Sequence, residues 1–199
     1  HYWKECSRDY IVWMGGVAGN VMEPGIADFG IAMHCFFTDL SANPKDTVEY
    51  DFHKRLLAQM NPGATVMGWH SYAKDTEGQT VTLTSSYGPN VEGLNTLPNA
   101  SFTSQIAFSP GFTFTNTANV APGEKLVAQK KVYVCLVQSD SMGIGAWNET
   151  VRGEIPYTWQ IGVTWLKFDP AALEMFSLTK TPNDYFIGGL SGPGYMYPS

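Results

Sequence analysis

The sequence predicts an α/β domain built around a parallel sheet, and three observations lead to that class. Short runs of β-branched and aromatic residues, "YIVWM" at 10–14, "TVMGW" at 65–69, "IPYTWQIGV" at 155–163 and "DYFIGGL" at 184–190, have the length and apolar composition of buried strands. Segments of helical apolar spacing lie between them, and the order strand, helix, helix, strand over the first 69 residues is the rhythm of parallel strands joined by crossovers. Length is the third observation. A chain of 199 residues suffices for one domain with a sizeable core, and is somewhat short for a complete eight-unit barrel of roughly 250. No internal repeat, low-complexity tract or convincing linker divides it, so residues 1–199 are expected to form a single domain.

The elements follow in order. "YIVWM" is closed by Gly15-Gly16 and reads as a buried strand. Ile26, Phe29, Met33, Phe36, Phe37 and Leu40 then recur at helical spacing behind Pro24-Gly25, which predicts a helix of about four turns. After "SANPKD" the helical pattern restarts with Val48, Phe52, Leu56 and Met60 four apart, behind an Asp46-to-Glu49 capping arrangement, and Asn61-Pro62-Gly63 ends it. "TVMGW" is the second strand. Over residues 76–131, "TVTLTSS" and "ASFTSQIAF" are strand-like, while "SPGFTFTNTANVAPGEK" has the Gly, Pro and Asn punctuation of a long loop. "KKVYVCLVQSD" at 130–140 is the strongest buried strand by composition, followed by "IPYTWQIGV" and "DYFIGGL". Between these lie "GIGAWNETV" and "DPAALEMFSL", the latter with Asp169 as N-cap, Pro170 at the first helical position and Leu173 and Phe176 inward.

Composition bounds the partners. With 44% apolar and only 15% charged residues the chain is a folding sequence, and its net charge of −6 leaves no electrostatic footprint for nucleic acid or an anionic membrane. A neutral partner fits better. Six Trp and ten Tyr exceed what a core usually needs and suit surfaces that stack on sugar rings or bases. No apolar run approaches the roughly 18 residues of a membrane helix, and a signal peptide, if the protein has one, lies outside this sequence. Cys6, Cys35 and Cys135 have no CxxC or histidine-rich company, so three ordinary thiols are expected, with Cys35 and Cys135 buried in apolar elements.

In parallel α/β folds the working residues gather at the carboxyl ends of strands. That rule selects Gly15-Gly16, Trp69-His70 with Asp75 and Glu77 beyond, Ser139-Asp140, and the closing "SGPGYMYP". Asp140 follows an apolar run and precedes "SMGIG", which places its carboxylate at the rim of a crevice or makes it the N-cap of a helix beginning near Met142. Glycoside hydrolysis needs two carboxyl groups roughly 5 to 10 Å apart, and Asp140 with Glu77, or with Asp75, is the leading pair; Glu149, Glu154 and Asp184 read as solvated loop residues. Trp69, Trp147, Trp159 and Tyr195 are the flat side chains placed to hold sugar rings, with core packing as the alternative. His70 stands alone after Trp69, and His34 and His53 lack metal-ligand spacing, so no metal is expected. Neither a GxSxG elbow, a P-loop nor a GxGxxG turn is present, and no cofactor is expected.

The final twelve residues, "GGLSGPGYMYPS", combine glycines that permit positive φ with prolines that fix it, as an ordered irregular loop presenting Tyr195 and Tyr197 would. Within it "GPGYMYP" fits GxGYxYP at every fixed position. The chain resembles the C-terminal domain of the GxGYxYP putative glycoside hydrolase family, and "FFTDLSANPKDT", "LLAQMNPGATVMGWHSYAKDTEG", "LPNASFTSQ", "KKVYVCLVQSD", "IPYTWQI" and "TPNDYFIGGLSGPGYMYP" extend the resemblance over nearly its whole length. The resemblance implies a TIM-barrel-like (β/α) domain, incomplete or excised from a longer protein, with a carbohydrate substrate, a companion domain and an extracellular or periplasmic setting. With a carbohydrate substrate, the strand-end positions make Asp140 and Glu77 the expected catalytic carboxylates and Trp69, His70, Trp159, Tyr195 and Tyr197 the expected substrate-binding residues. The family's acidic S-D-G-D-N stretch here reads "SDSMG", which keeps Asp140 and replaces the second carboxylate by Met142. That departure leaves a non-catalytic carbohydrate-binding or structural role as the alternative.

Overall fold

The computed structural model describes residues 2–14, 24–93, 99–116, 120–121, 123–138, 144–149, 151–189 and 194–198. Within them the order is β1 (Tyr10–Met14), α1 (Pro24–Ala32), β2 (Phe36–Thr38), α2 (Thr47–Leu57), β3 (Thr65–Trp69), α3 (Glu77–Ser85), β4 (Asn90–Glu92), α4 (Ala100–Thr103), β5 (Val137–Gln138), α5 (Ile144–Trp147), β6 (Tyr157–Ile161), α6 (Trp165–Phe168), α7 (Pro170–Thr179) and β7 (Asp184–Gly188), after a short 3-10 turn at Tyr2–Glu5. All strand pairs are parallel, as an alternating α/β order requires.

The strands form two sheets, one of order β2-β1-β3-β4 and one of order β5-β6-β7. No closed barrel exists among the described residues. In a barrel consecutive strands are neighbours, whereas here β1 sits between β2 and β3, so the connections run to opposite sides of β1 as in an open, doubly wound sheet. One face of the first sheet, through Ile11, Trp13, Val66 and Val91, packs on Leu56 and Leu57 of α2 and Leu83 of α3. The other, through Val12 and Met67, joins Phe29 of α1, Phe168 of α6, Phe176 of α7 and Trp159 and Phe186 of the second sheet in one cluster. The two sheets therefore share a core.

Several elements differ from the sequence expectation, each for a physical reason. The four-turn helix over 26–40 ends at Ala32, because His34 takes the left-handed conformation (φ 53°) and closes a Schellman motif: the Cys35 N–H donates to the Gly30 carbonyl (2.8 Å) and the His34 N–H to that of Ile31 (3.2 Å). Phe36 and Phe37 are then free to pair with β1. In α2 the inward residues are His53, Leu56 and Leu57, while Val48 and Phe52 face solvent; the imidazole of His53, 4.1 Å from the Trp13 ring, takes the place the apolar stripe assigned to Phe52. Asp46 makes no capping bond, and it and Glu49 instead hold the hydroxyl and N–H of Ser41.

"TVTLTSS" is helical in α3, where Thr76 and Gln79 form a reciprocal capping box that outweighs threonine's strand preference. "ASFTSQIAF" contributes only the single turn of α4. Of the described part of "KKVYVCLVQSD", only the end is in the sheet: Val137 and Gln138 pair with β6 and the Leu136 carbonyl accepts from the Thr158 N–H (2.9 Å), while Val132 is 92% exposed. Apolar composition marks a strand as able to be buried, and burial needs a facing surface that the described residues do not supply. Cys135 is exposed there, against expectation, whereas Cys35 is buried and its thiol is pushed up to about 12, chiefly by that burial. Asp169 caps α7 by accepting from the Ala172 N–H (3.0 Å), Pro170 opens it, and Leu173 and Phe176 face the core, as the sequence predicts.

Candidate active site

Parallel pairing sends the carboxyl ends of β1 to β4 to one side, and the loop leaving β6 meets them there. Glu92, the last residue of β4, is 1% exposed and accepts a hydrogen bond from the Thr164 hydroxyl, three residues beyond β6. The segment after β7 reaches the same strand: Tyr195 and Val91 exchange two backbone hydrogen bonds, Tyr195 N–H to Val91 O at 2.8 Å and Val91 N–H to Tyr195 O at 3.0 Å, as an antiparallel bridge. Gly194 makes that approach possible. Its φ is +118°, and a Cβ there would stand 2.7 Å from the Val91 carbonyl oxygen and 2.8 Å from Nδ2 of Asn90. Further along, the Tyr197 N–H donates to Oγ of Ser85 at the end of α3 (2.9 Å).

Gly68 aims the neighbouring aromatic. Strand alternation would put Trp69 on the same face as Met67, but Gly68 takes φ +106° against the Trp13 carbonyl, and Trp69 packs instead with the cluster on the Val66 face. Its ring lies 4.6 Å from that of Tyr195 and fills the space where a Cβ on Gly93 would stand, 2.7 Å away. His70 follows at the strand end, flanked by Trp69 (5.7 Å) and Tyr72 (4.2 Å), and Tyr72 is 58% exposed. Nδ1 of His70 lies 3.4 Å from Oδ1 of buried Asp75. Asp75 in turn accepts from the Ala42 N–H (2.7 Å) and the Thr80 hydroxyl (3.3 Å), so it ties the loop after β2 to the loop after β3.

The structure thus brings Trp69, His70, Asp75 and Tyr195 to one end of the first sheet, with Tyr197 half-exposed beyond them. Glu77 is exposed at the first position of α3. Asp140, Met142 and Gly15-Gly16 lie outside the described residues. Trp159 and Trp147 belong to the core rather than to a sugar platform: both are buried, their rings meet at 5.2 Å, and the Trp159 indole donates to Oδ1 of Asp184 (2.8 Å). Asp184 opens β7, at the end of the sheet away from the candidate site, and pairs with Arg152 at 2.6 Å. Burial pushes its carboxyl up, but the Thr181 N–H, the Trp159 indole and Arg152 together hold it below the usual carboxylate range. Glu149 and Glu154 are exposed loop residues. Among the described residues no group of three or more His, Cys, Asp or Glu side chains is placed to hold a metal ion, and no helix is long and apolar enough to cross a membrane.

Sequence reasoning passed over Glu92 and Thr164. Glu92 had a signal, since "NVEG" repeats in miniature the pattern that drew attention to Asp140, an apolar strand end, a carboxylate and then a small residue. Thr164 had none, because its partner is 72 residues away.

Models of two domains of one family match the chain: the "GxGYxYP third domain" over residues 8–105 and the "GxGYxYP putative glycoside hydrolase C-terminal domain" over 130–199. The chain belongs to the GxGYxYP family. Its two family segments meet at the Val91–Tyr195 bridge, since Val91 falls in the first and Tyr195 in the second. The crystal structure of a putative hydrolase from Bacteroides thetaiotaomicron VPI-5482 is similar to this GxGYxYP chain, with a TM-score of 0.78 at 20% identity, a likeness of fold. The match covers all of this chain and 38% of that one, so the chain spans well under half the length of its neighbour. Among curated proteins nothing matches.

Proposed function

We propose that this chain is the part of a glycoside hydrolase that forms the crevice at the carboxyl ends of β3, β4 and β6, and that it acts on carbohydrate there. One observation carries the reading: the ends of two sheets converge on an enclosed carboxylate, Glu92, and the family's glycine–tyrosine motif is bonded to the same strand. The names of the family and of the similar hydrolase support the reaction class. Asp140, two residues past β5, serves as the first catalytic carboxylate and Glu92 as the second, one protonating the leaving oxygen and the other acting on the anomeric carbon or its water. Glu77, exposed on α3, is the substitute if Glu92 proves structural. Tyr72 and the Trp69 ring, backed by Tyr195, offer flat faces to the sugar, His70 beside Asp75 offers a hydrogen bond, and Tyr197 lies at the rim. The setting is extracellular or periplasmic, which fractionation of the producing cell checks.

The test is a panel of aryl glycosides and oligosaccharides with reducing-sugar release as readout. Asp140→Asn and Glu92→Gln should each lower kcat/KM by on the order of a thousandfold, with Glu77→Gln within a few-fold of the parent. Undiminished turnover in Asp140→Asn removes Asp140 from the mechanism, and a reversal of Glu92 and Glu77 reassigns the second carboxylate. A second reading, carbohydrate binding without cleavage, is favoured by Met142 standing where the family stretch carries a carboxylate. It predicts glycan binding without product, weakened by Tyr72→Ala.

A further inference from the structure

We propose that the cavity at the carboxyl ends of β6 and β7 is a binding site for an apolar aglycone, so that the sugars this domain handles are joined to alkyl, aryl or lipid groups. The inference deepens the glycosidase reading and rests on it for the sugar; the apolar occupant is argued from the cavity. Its volume is about 320 Å³, and every residue lining it is apolar or glycine. Small-ligand sites begin near 300 Å³ and favour the carboxyl ends of parallel strands.

Three features mark it as built for an occupant. Phe114, Val163, Leu166 and Ile187 ring the opening and each keeps more than a third of its surface in water, an apolar exposure that an occupant would relieve. The wall carrying Phe114 is fixed in place: the side-chain amide of Asn116 accepts from the Phe186 N–H (2.9 Å) and donates to the Phe186 carbonyl (2.6 Å), satisfying the outer edge of β7 as another strand would. Phe114 is thereby held with its ring 5.2 Å from that of Phe186, beside the cavity. Finally, the cavity adjoins the candidate carboxylate. Val163 in the wall is followed at once by Thr164, whose hydroxyl donates to Glu92, so an aglycone seated here has its sugar on the Glu92 side of one short loop.

The experiment titrates the chain with methyl and octyl β-D-glucopyranoside, the latter below its micelle threshold, and follows binding by ligand-observed NMR. The octyl compound should bind at least about tenfold more tightly than the methyl compound. Gly188→Leu and Val163→Asp should each erase that difference. A Cβ at Gly188 meets nothing within 4 Å, so leucine there fits the backbone and fills the cavity; an unchanged circular dichroism spectrum confirms that both variants fold. Equal binding of the two glucosides, or an octyl preference that survives both substitutions, overturns the proposal and assigns the apolar rim to contact with another polypeptide. The two readings fail separately. An octyl preference with no glycoside cleaved keeps the cavity and removes the hydrolase, whereas cleavage of oligosaccharides without an octyl preference does the reverse.

Discussion

Gly194→Ala should destabilise the chain by about 1–4 kcal/mol, and the structure supplies each term of that figure. A side chain at φ +118° leaves the region L-residues tolerate, at a cost of roughly 1–2 kcal/mol. The new methyl would stand 2.7 Å from the Val91 oxygen, which accepts the Tyr195 N–H at 2.8 Å. Relieving the clash moves the two strands apart and weakens one or both bridging hydrogen bonds, each worth about 0.5–1.5 kcal/mol. Alanine returns roughly 0.4–1 kcal/mol by restricting the unfolded chain. Urea unfolding followed by tryptophan fluorescence should show a lower midpoint at unchanged slope, and thermal unfolding a drop of roughly 2–15 °C. Gly78→Ala provides the contrast, since Gly78 lies in α3 with nothing within 4 Å of its Cβ position, and should stabilise by up to about 1 kcal/mol. A change below about 0.5 kcal/mol for Gly194→Ala would show that the motif glycine is not needed for close approach to β4, and the account of the bridge would fall.

Two further outcomes follow from buried polar groups. His53 is enclosed, and although the Ser41 backbone lies close, neither ring nitrogen has a hydrogen-bond partner; burial lowers its pKa from 6.5 to about 4. The unfolded chain therefore takes up a proton at a pH where the folded chain does not, so stability is full above pH 6.5 and falls by about 3 kcal/mol between there and pH 4. His53→Leu should flatten that slope, and an equally steep one in the variant would assign it to other groups. Asp184→Asn leaves Arg152 facing an amide where a carboxylate bound it at 2.6 Å, and should cost about 2–4 kcal/mol in urea unfolding while sparing catalysis. Loss of turnover in folded Asp184→Asn would refute its purely structural role.

The fold was legible wherever local rules and tertiary packing agreed. The α7 boundaries follow from Asp169-Pro170, and β1, β3, β6 and β7 from apolar runs of strand length. α3 carried the signal Thr76-x-x-Gln79 in plain sight, but its threonines outweighed a cap worth only about 1 kcal/mol when residues were judged by propensity. The end of α1 carried no signal, since the left-handed position usually filled by glycine holds His34. The face of α2 misled because its inward position is a histidine. Sheet order was beyond reach for a different reason: the alternation of strands and helices is the same for a barrel and for the order 2-1-3-4, and only contacts between distant segments distinguish them.

The same limit explains the candidate site. Residues near a strand end in sequence, such as Trp69, His70 and Asp75, were found by the carboxyl-end rule, whereas Glu92 gains its surroundings from Thr164 and Tyr195, 72 and 103 positions away. The motif that names the family turns out to act mainly through its backbone. Gly194 lets the chain touch β4, Tyr195 gives both its N–H and C=O to Val91, and the Tyr195 ring is spent against Trp69, which also occupies the space beside Gly93. These contacts fix the end of β4 and hence the position of Glu92 relative to the β6 loop. Positioning alone is thus a sufficient role for the motif, and the chemistry is to be sought in the carboxylates it positions: Tyr195→Phe, which keeps backbone and ring, should leave turnover within a few-fold of the parent, whereas Glu92→Gln should not.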